Sequence, residues 1–477
     1  MRKNLMLVLS LMMVFSLVLT ACGGGDTADT ADTADAVEAM DPAELDQEEE
    51  VTLQVWSFTN EILTMALAFE ERYPNVDVNY TIIPMTDGEY QTKIKASIGT
   101  ADAPDVVALE AAFVKEWVEA GFLANLNDLL PYAEELQTYP AVVEVGTHEG
   151  VLKGVSYQAT PGAFEYRRSI ALECLGTDDP VEVQEMVKDL DSFVATAQKI
   201  KECGTGDYYM VGTAAALFNP FLANRSQPWI VDGELVIDPK VEEYVDFAKL
   251  FRDEGYESQA EQWTEGWFAG MNDSLVDAAG TPKKIFSYFL PTWGLPYVLI
   301  PNSGDTAGDW AMINGPLAYQ WGGTWAGVMD GSPNLDWAKE FVRFVGLDEE
   351  NLTNWATGVY TNDYLKAIDP EVADDQAQAP GDFVSSQVVV EKITASFDGS
   401  AIYDFLGGQN NYEAFGMAAP KVNGALLTGS DDAIQRALQS QLEQYLLGAI
   451  DETAMWELWF DQVRNEFPEL VIPEPPA

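Results

Sequence analysis

The sequence predicts an α/β protein: a mainly parallel sheet covered by helices, with the chain passing between more than one such layer. Three observations predict this. From Val51 onward, apolar residues alternate as on a strand (Val51, Leu53, Val55), then follow helical spacing (Ile62, Met65, Ala66, Phe69), and the pair of patterns repeats. Residues 154–168 read as one extended segment broken by Pro161-Gly162, as where a chain leaves one lobe and enters another. The 477 residues, 47% hydrophobic with 13 Trp, 19 Tyr and 22 Phe, suffice for two or three cores.

Taken in order, the folded body opens with a strand over 51–56 and a helix that Pro74 stops. Val76, Val78, Tyr80 and Ile82 alternate again, and a helix carrying Tyr90, Ile94 and Ile98 leads to a buried strand over 105–109. A helix with Phe113 and Trp117 ends at Gly121. In such sheets ligands sit beyond the carboxyl ends of the strands, which makes Trp56 and Glu110 candidate cleft residues. A carboxylate directly after an apolar strand must meet solvent, a partner or a ligand.

Further along, 191–203 and 241–254 read as amphipathic helices. A strand over 284–290 runs into Pro291-Thr292-Trp293-Gly294, which presents an aromatic at a strand end. Ser332-Pro333 is expected to start a helix lined by Trp337, Phe341 and Phe344. Two helices follow near the end, one striped by Ile434, Leu438, Leu442 and Tyr445, the other starting near Asp451 with Trp456 and Trp459 assigned to packing.

The amino terminus reads as an address. Arg2 and Lys3 precede an apolar run, and Leu19-Thr20-Ala21-Cys22 closes it, as in a secretory signal over 1–22. Residues 23–50 contain no Lys, Arg or aromatic residue and are read as an acidic disordered linker, spanning roughly 30 Å if flexible. Cys174 and Cys203 are left over; export permits a disulfide between them, and the sequence leaves that open against two buried thiols. One histidine and no Cys-x-x-Cys give no metal constellation, and no cofactor is expected. The 78 Asp+Glu against 25 Lys+Arg, a formal −53, disfavour nucleic acid and anionic membrane surfaces as partners. Adaptation to high salt is the sharper reading of that charge, and a solvated acidic surface the plainer one.

Several stretches occur in a familiar order: Pro104-Asp105-Val106-Val107, the broken strand at 154–168, Trp321-Gly322-Gly323-Thr324-Trp325, and Ser332-Pro333-Asn334 before Trp337-Ala338-Lys339-Glu340-Phe341. Behind a segment that resembles a bacterial lipobox, this set resembles the sugar-type extracellular solute-binding proteins of ABC importers, relatives of maltose-binding protein. The resemblance implies a type II periplasmic-binding-protein-like fold, with two sheets flanked by helices and joined by three hinge crossovers. Lobe 1 would be 51–159 plus 325–358, and lobe 2 would be 160–324 plus 359–477. It implies diacylglycerol on Cys22, ABC permease subunits as partners, a monomer at the outer face of the membrane, and a hinge at Ala159, Thr160, Pro161 and Gly162. Further crossovers would fall near 321–325 and 357–361.

A pyranose offers C–H faces to aromatic rings and a rim of hydroxyls to carboxylates and amides. The candidate platforms are Trp56, Tyr157, Trp267, Trp293, Trp321 and Trp325; the candidate rim groups are Glu110, Gln158, Arg167 and Gln409. An amine or betaine is the alternative solute, since aromatic rings with carboxylates also attract cations. A secreted glycoside hydrolase, or a sugar sensor or adhesin without transport, remains the alternative outside import.

Overall fold

The computed structural model describes residues 37–204, 206–372, 382–396 and 401–476. The signal segment with Cys22 lies outside the described residues. Nine strands build two sheets: β1 (Val51–Ser57), β2 (Val76–Ile82), β3 (Val106–Glu110), β4 (Val155–Ser156), β5 (Gly162–Arg167), β6 (Tyr208–Val211), β7 (Lys284–Pro291), β8 (Trp310–Ile313) and β9 (Thr324–Val328). The first sheet has the order β2-β1-β3-β9-β4 and the second the order β8-β5-β7-β6. Within the first, β1 runs parallel to both β2 and β3, while β9 is antiparallel to β3 and β4. The alternation of strand and helix patterns after Val51 dictates the parallel part, because each crossover helix carries the chain back to the end of the sheet where the previous strand began, on either side of β1.

Apolar stripes decide how the helices lie. Glu61–Arg72 and Leu335–Leu347 cover the first sheet, with Phe69 set edge-on to Phe341 and Phe344 at 5.2 and 5.4 Å. Glu89–Ser97 buries Tyr90, whose hydroxyl donates to the carbonyls of Trp56 and Ala108 and so ties the carboxyl ends of β1 and β3 together. In the second sheet, Phe164 of β5 meets Phe193, Phe286 and Phe289. The helices Pro239–Glu254, Asp431–Leu446 and Glu452–Glu466 complete that core, with Trp456 and Trp459 inside it. Cys174 and Cys203 form a disulfide that joins the helices Arg168–Leu175 and Leu190–Cys203.

Three features differ from the sequence expectation. The stretch after residue 37 is not all free linker: the Met40 amide donates to the Asp128 carbonyl, Tyr132 donates to the Met40 carbonyl, and Met40 and Leu45 pack on the first core. Two isolated apolar side chains in an otherwise acidic run are enough to dock it. The Leu335–Leu347 helix begins after Pro333, because Ser332 is engaged with buried Asp105 and its hydroxyl also accepts from the Asn334 amide. At 357–361, where a third crossover was expected, the chain turns yet stays with the first lobe. The next helix, Asn362–Ile368, packs on Glu61–Arg72, and Tyr364 donates to Glu71. Residues beyond it still pair there, Val384 with Gln158 and Ser386 with Thr138.

Candidate functional site

Two segments cross between the sheets side by side. One joins β4 to β5 through residues 157–161, and the other joins β8 to β9 through residues 314–323. They pair with each other: the Gly162 amide donates to the Tyr319 carbonyl at 2.8 Å, the Trp321 amide to the Thr160 carbonyl at 3.2 Å, and the Thr160 hydroxyl to the Gly322 carbonyl at 2.7 Å. The second segment needs glycine twice. Gly322 and Gly323 have φ of +74° and +120°, and a Cβ at 322 would lie 2.7 Å from Nε1 of Trp293.

That turn projects Trp321 outward, and two more indoles gather around it. Trp293, at the end of β7, donates from Nε1 to the Trp321 carbonyl at 3.0 Å. Trp263 stacks on Trp293 with a 12° interplanar angle at 6.2 Å and stands edge-on to Trp321 at 5.9 Å. Trp263 is 51% exposed.

Two cavities meet at Trp321. The larger, about 430 Å³, is lined on the second-lobe side by Tyr244, Glu261, Trp263, Gln439 and Glu443 among others. The smaller, about 250 Å³, lies between the lobes, with Glu110, Ala111 and Leu426 on one wall and Asn219 and Leu222 on the other. Trp321, Asn219 and Gln435 line both. Glu110 ends β3 beside Thr324 of β9, its carboxylate accepting from the Ala112 amide at 2.7 Å. Burial pushes the Glu110 carboxyl up to about 7. Burial also raises Glu261, against the hydrogen bond it accepts from Thr213 at 2.9 Å. Aromatic faces, amides and carboxyls along one trough can stack on a flat apolar face and accept from hydroxyls at its rim. Among the described residues no cluster of metal-ligating side chains occurs.

The model of the bacterial extracellular solute-binding proteins matches residues 55–352. The chain belongs to that family. No curated protein sequence matches it. Among solved structures, an extracellular solute-binding protein of family 1 superposes with a TM-score of 0.70 at 16% identity, covering 87% of this chain and all of its own. The galacto-N-biose/lacto-N-biose I-binding protein of an ABC transporter from Bifidobacterium longum, in complex with lacto-N-biose, gives 0.64 at 15% identity, covering 90% and 100%. The ABC transporter associated binding protein from B. animalis subsp. lactis, in complex with β-1,6-galactobiose, gives 0.62 at 20% identity, covering 89% and 99%. The solute-binding proteins of this family share the two-lobed fold described above.

In this solute-binding protein the candidate residues divide sharply. Glu110 and Trp321 line the cleft, and Trp293 stands behind Trp321. The others are engaged elsewhere. Trp56 packs half-buried on the first core under Lys93, whose Nζ is 5.2 Å from the ring. Tyr157 is buried and donates to Glu61; Gln158 donates to Asp382 at 3.0 Å. Arg167 is held by Asp273 and Asp309 at 2.9 and 2.7 Å over Trp310. Trp267 is 2% exposed against Tyr288, and Trp325 donates to the buried Val142 carbonyl. Gln409 pairs both ends of its amide with the Met312 backbone, extending the sheet edge. These residues serve the cores and crossovers, because a strand inside a buried sheet hides alternate side chains on both faces.

The predicted hinge is buried too. Ala159, Thr160, Pro161 and Gly162 lie inside, and a Cβ at 162 would be driven into the Tyr319 ring. Gly162 therefore serves close packing against Tyr319.

Sequence reasoning missed Trp263, Asn219, Tyr244, Glu261 and the cleft face of Asp431–Leu446. A signal exists on that helix: Asp432, Gln435, Gln439 and Glu443 recur at spacings of three and four beside the apolar stripe. Trp263 stands four residues before Trp267 in a polar run, at a φ of +66° that turns it out of the following helix.

Proposed function

We propose that the protein is a lipid-anchored, extracellular solute-binding component of an ABC importer that captures a carbohydrate between its lobes and delivers it to a membrane permease. The observation that carries this reading is Trp321, set on a crossover where both cavities meet, with Trp263 and Trp293 around it and Glu110 and Gln435 within the same trough. An indole face suits the C–H face of a pyranose, and the flanking carboxyls and amides suit its hydroxyl rim. The relatives crystallised with lacto-N-biose and β-1,6-galactobiose support a saccharide ligand. Leu19-Thr20-Ala21-Cys22 supports the lipid anchor.

Because the ligand touches both lobes, it binds the closed arrangement more tightly and shifts the population toward it. The permease then recognises the closed form. The chain catalyses nothing in this scheme.

The test is a tryptophan-fluorescence titration of the purified protein against mono- and oligosaccharides, polyols and quaternary amines. Saturable change with a saccharide is expected; response to amines alone would replace the sugar by a cation. Incorporation of radiolabelled fatty acid, lost in Cys22→Ala, checks the anchor.

A further inference from the structure

The smaller cavity carries a spare donor on one lobe and a spare acceptor on the other. On the second-lobe side stands Arg225, 5% exposed. Its Nε donates to the Leu222 carbonyl at 3.0 Å, its Nη2 pairs with Asp431 at 3.3 Å, and the guanidinium lies 4.5 Å from the Trp229 ring. Nη1 is left over: among the described residues it is buried with no hydrogen-bond partner, on a side chain that lines the cavity. Burial pulls the guanidinium down from its ordinary value, and the charge of Asp431 does not make up the loss. An N–H on a buried cation is costly to leave unpaired, and an acceptor on an occupant of the cavity removes that cost.

The first-lobe wall offers the converse. Glu110 accepts from the Ala112 amide through Oε2 at 2.7 Å, and a carboxyl has lone pairs for more than one donor, so its other oxygen can take a ligand N–H. Leu222, Val422, Leu426 and Leu427 supply apolar lining. A planar secondary amide matches this set. Its C=O and N–H point in opposite directions, so one group can accept from Arg225 on one wall and donate to Glu110 on the other. The methyl of an acetamido group is then left for the leucines. A bare hydroxyl has no apolar end, and a carboxylate would satisfy Nη1 only by adding a negative charge beside Glu110 and Asp431.

We infer that the ligand carries an N-acetylated amino sugar, a 2-acetamido-2-deoxyhexose, whose acetamido group sits in the smaller cavity between Arg225 and Glu110, while further units lie along Trp321 and the larger cavity. This rests on the proposed carbohydrate reading of the cleft and adds the sugar class; it makes Arg225 a ligand-binding residue.

The experiment is isothermal titration calorimetry on the full folded chain with matched disaccharides: N-acetyllactosamine against lactose, and di-N-acetylchitobiose against cellobiose and against its own de-N-acetylated amine. The acetylated member of each set is expected to bind about tenfold to a hundredfold more tightly, the difference made by pairing or not pairing a donor on a buried charge. Arg225→Lys keeps a cation beside Asp431 but withdraws Nη1, and Glu110→Ala removes the acceptor while leaving the contacts of Arg225 in place. Each should cut the ratio severalfold, which a general loss of stability would not do, since that weakens every member of a set alike. Equal or reversed affinities within the sets, tighter binding of the free amine, or a ratio that survives both substitutions would overturn the acetamido assignment and leave the carbohydrate reading standing. Binding of quaternary amines with no saccharide bound would overturn the carbohydrate reading itself.

Discussion

The two crossovers lie against each other and are built on opposite plans. Residues 157–161 are buried, take no left-handed conformation, and bond to both neighbouring segments: the Ala159 amide reaches the Phe383 carbonyl and the Ala159 carbonyl accepts from Thr292. Residues 320–323 carry two left-handed glycines and hold Trp321 half-buried at the edge of the cleft. The first is a packed strut, the second a turned arm that presents a ligand surface. Adjacency in the fold therefore does not equalise function; backbone conformation decides which segment can expose an aromatic.

Breaking the strut has the largest expected effect. Gly162→Val drives a branched side chain into Tyr319 and should destabilise the protein by about 3 kcal/mol, seen as a lower midpoint in urea with little change in slope. A substitution here that altered ligand closure while leaving stability untouched would erase the distinction between the two segments.

Removing the arm's ring comes next. Trp321→Ala should weaken saccharide binding by about thirtyfold, on the order of 2 kcal/mol, with some loss of stability because the half-buried ring also packs against both cores. Calorimetric titration at a temperature well below the variant's melting midpoint checks the affinity and separates binding from folding.

A smaller effect sharpens the strut's polar side. Tyr157 donates to Glu61 in a buried site that Asp382 shares, and burial followed by the Asp382 charge raises the Glu61 carboxyl above its ordinary 4.5. Asp382 is itself raised by burial, against hydrogen bonds from Trp355 and Gln158. A raised carboxyl is protonated more readily in the folded state than in the unfolded one. Its stabilising contribution is thus complete below pH 4.5 and is lost as pH climbs through the raised value. Urea midpoints measured from pH 5 to 9 should fall, with a cost on the order of 1 kcal/mol, and Glu61→Gln should flatten the slope.

How much of this was legible depended on whether a residue's partners were local. The period-2 and period-3.6 patterns placed the strands at 51–57, 76–82, 106–110 and 284–291 to within a residue or two, because alternation is a property of neighbours in sequence. Glu110 could be named because a carboxylate at the end of an apolar strand stands out. Tyr157, Trp325 and Arg167 went to the cores and ion pairs because their partners, Glu61, Val142 and Asp309, are distant in sequence. Trp263 was invisible for the converse reason. Only the fold brings it to Trp293, thirty residues on, and only its backbone turn exposes it.

The triad of indoles has one more consequence. Trp293 lies 5.4 Å from Trp321 and 6.2 Å from Trp263, close enough for their ultraviolet transitions to couple as an exciton system whose sign and intensity depend on ring orientation. A solute that leans on Trp321 perturbs that coupling, so the difference in circular dichroism between empty and filled protein becomes an intrinsic optical gauge of occupancy that requires no label.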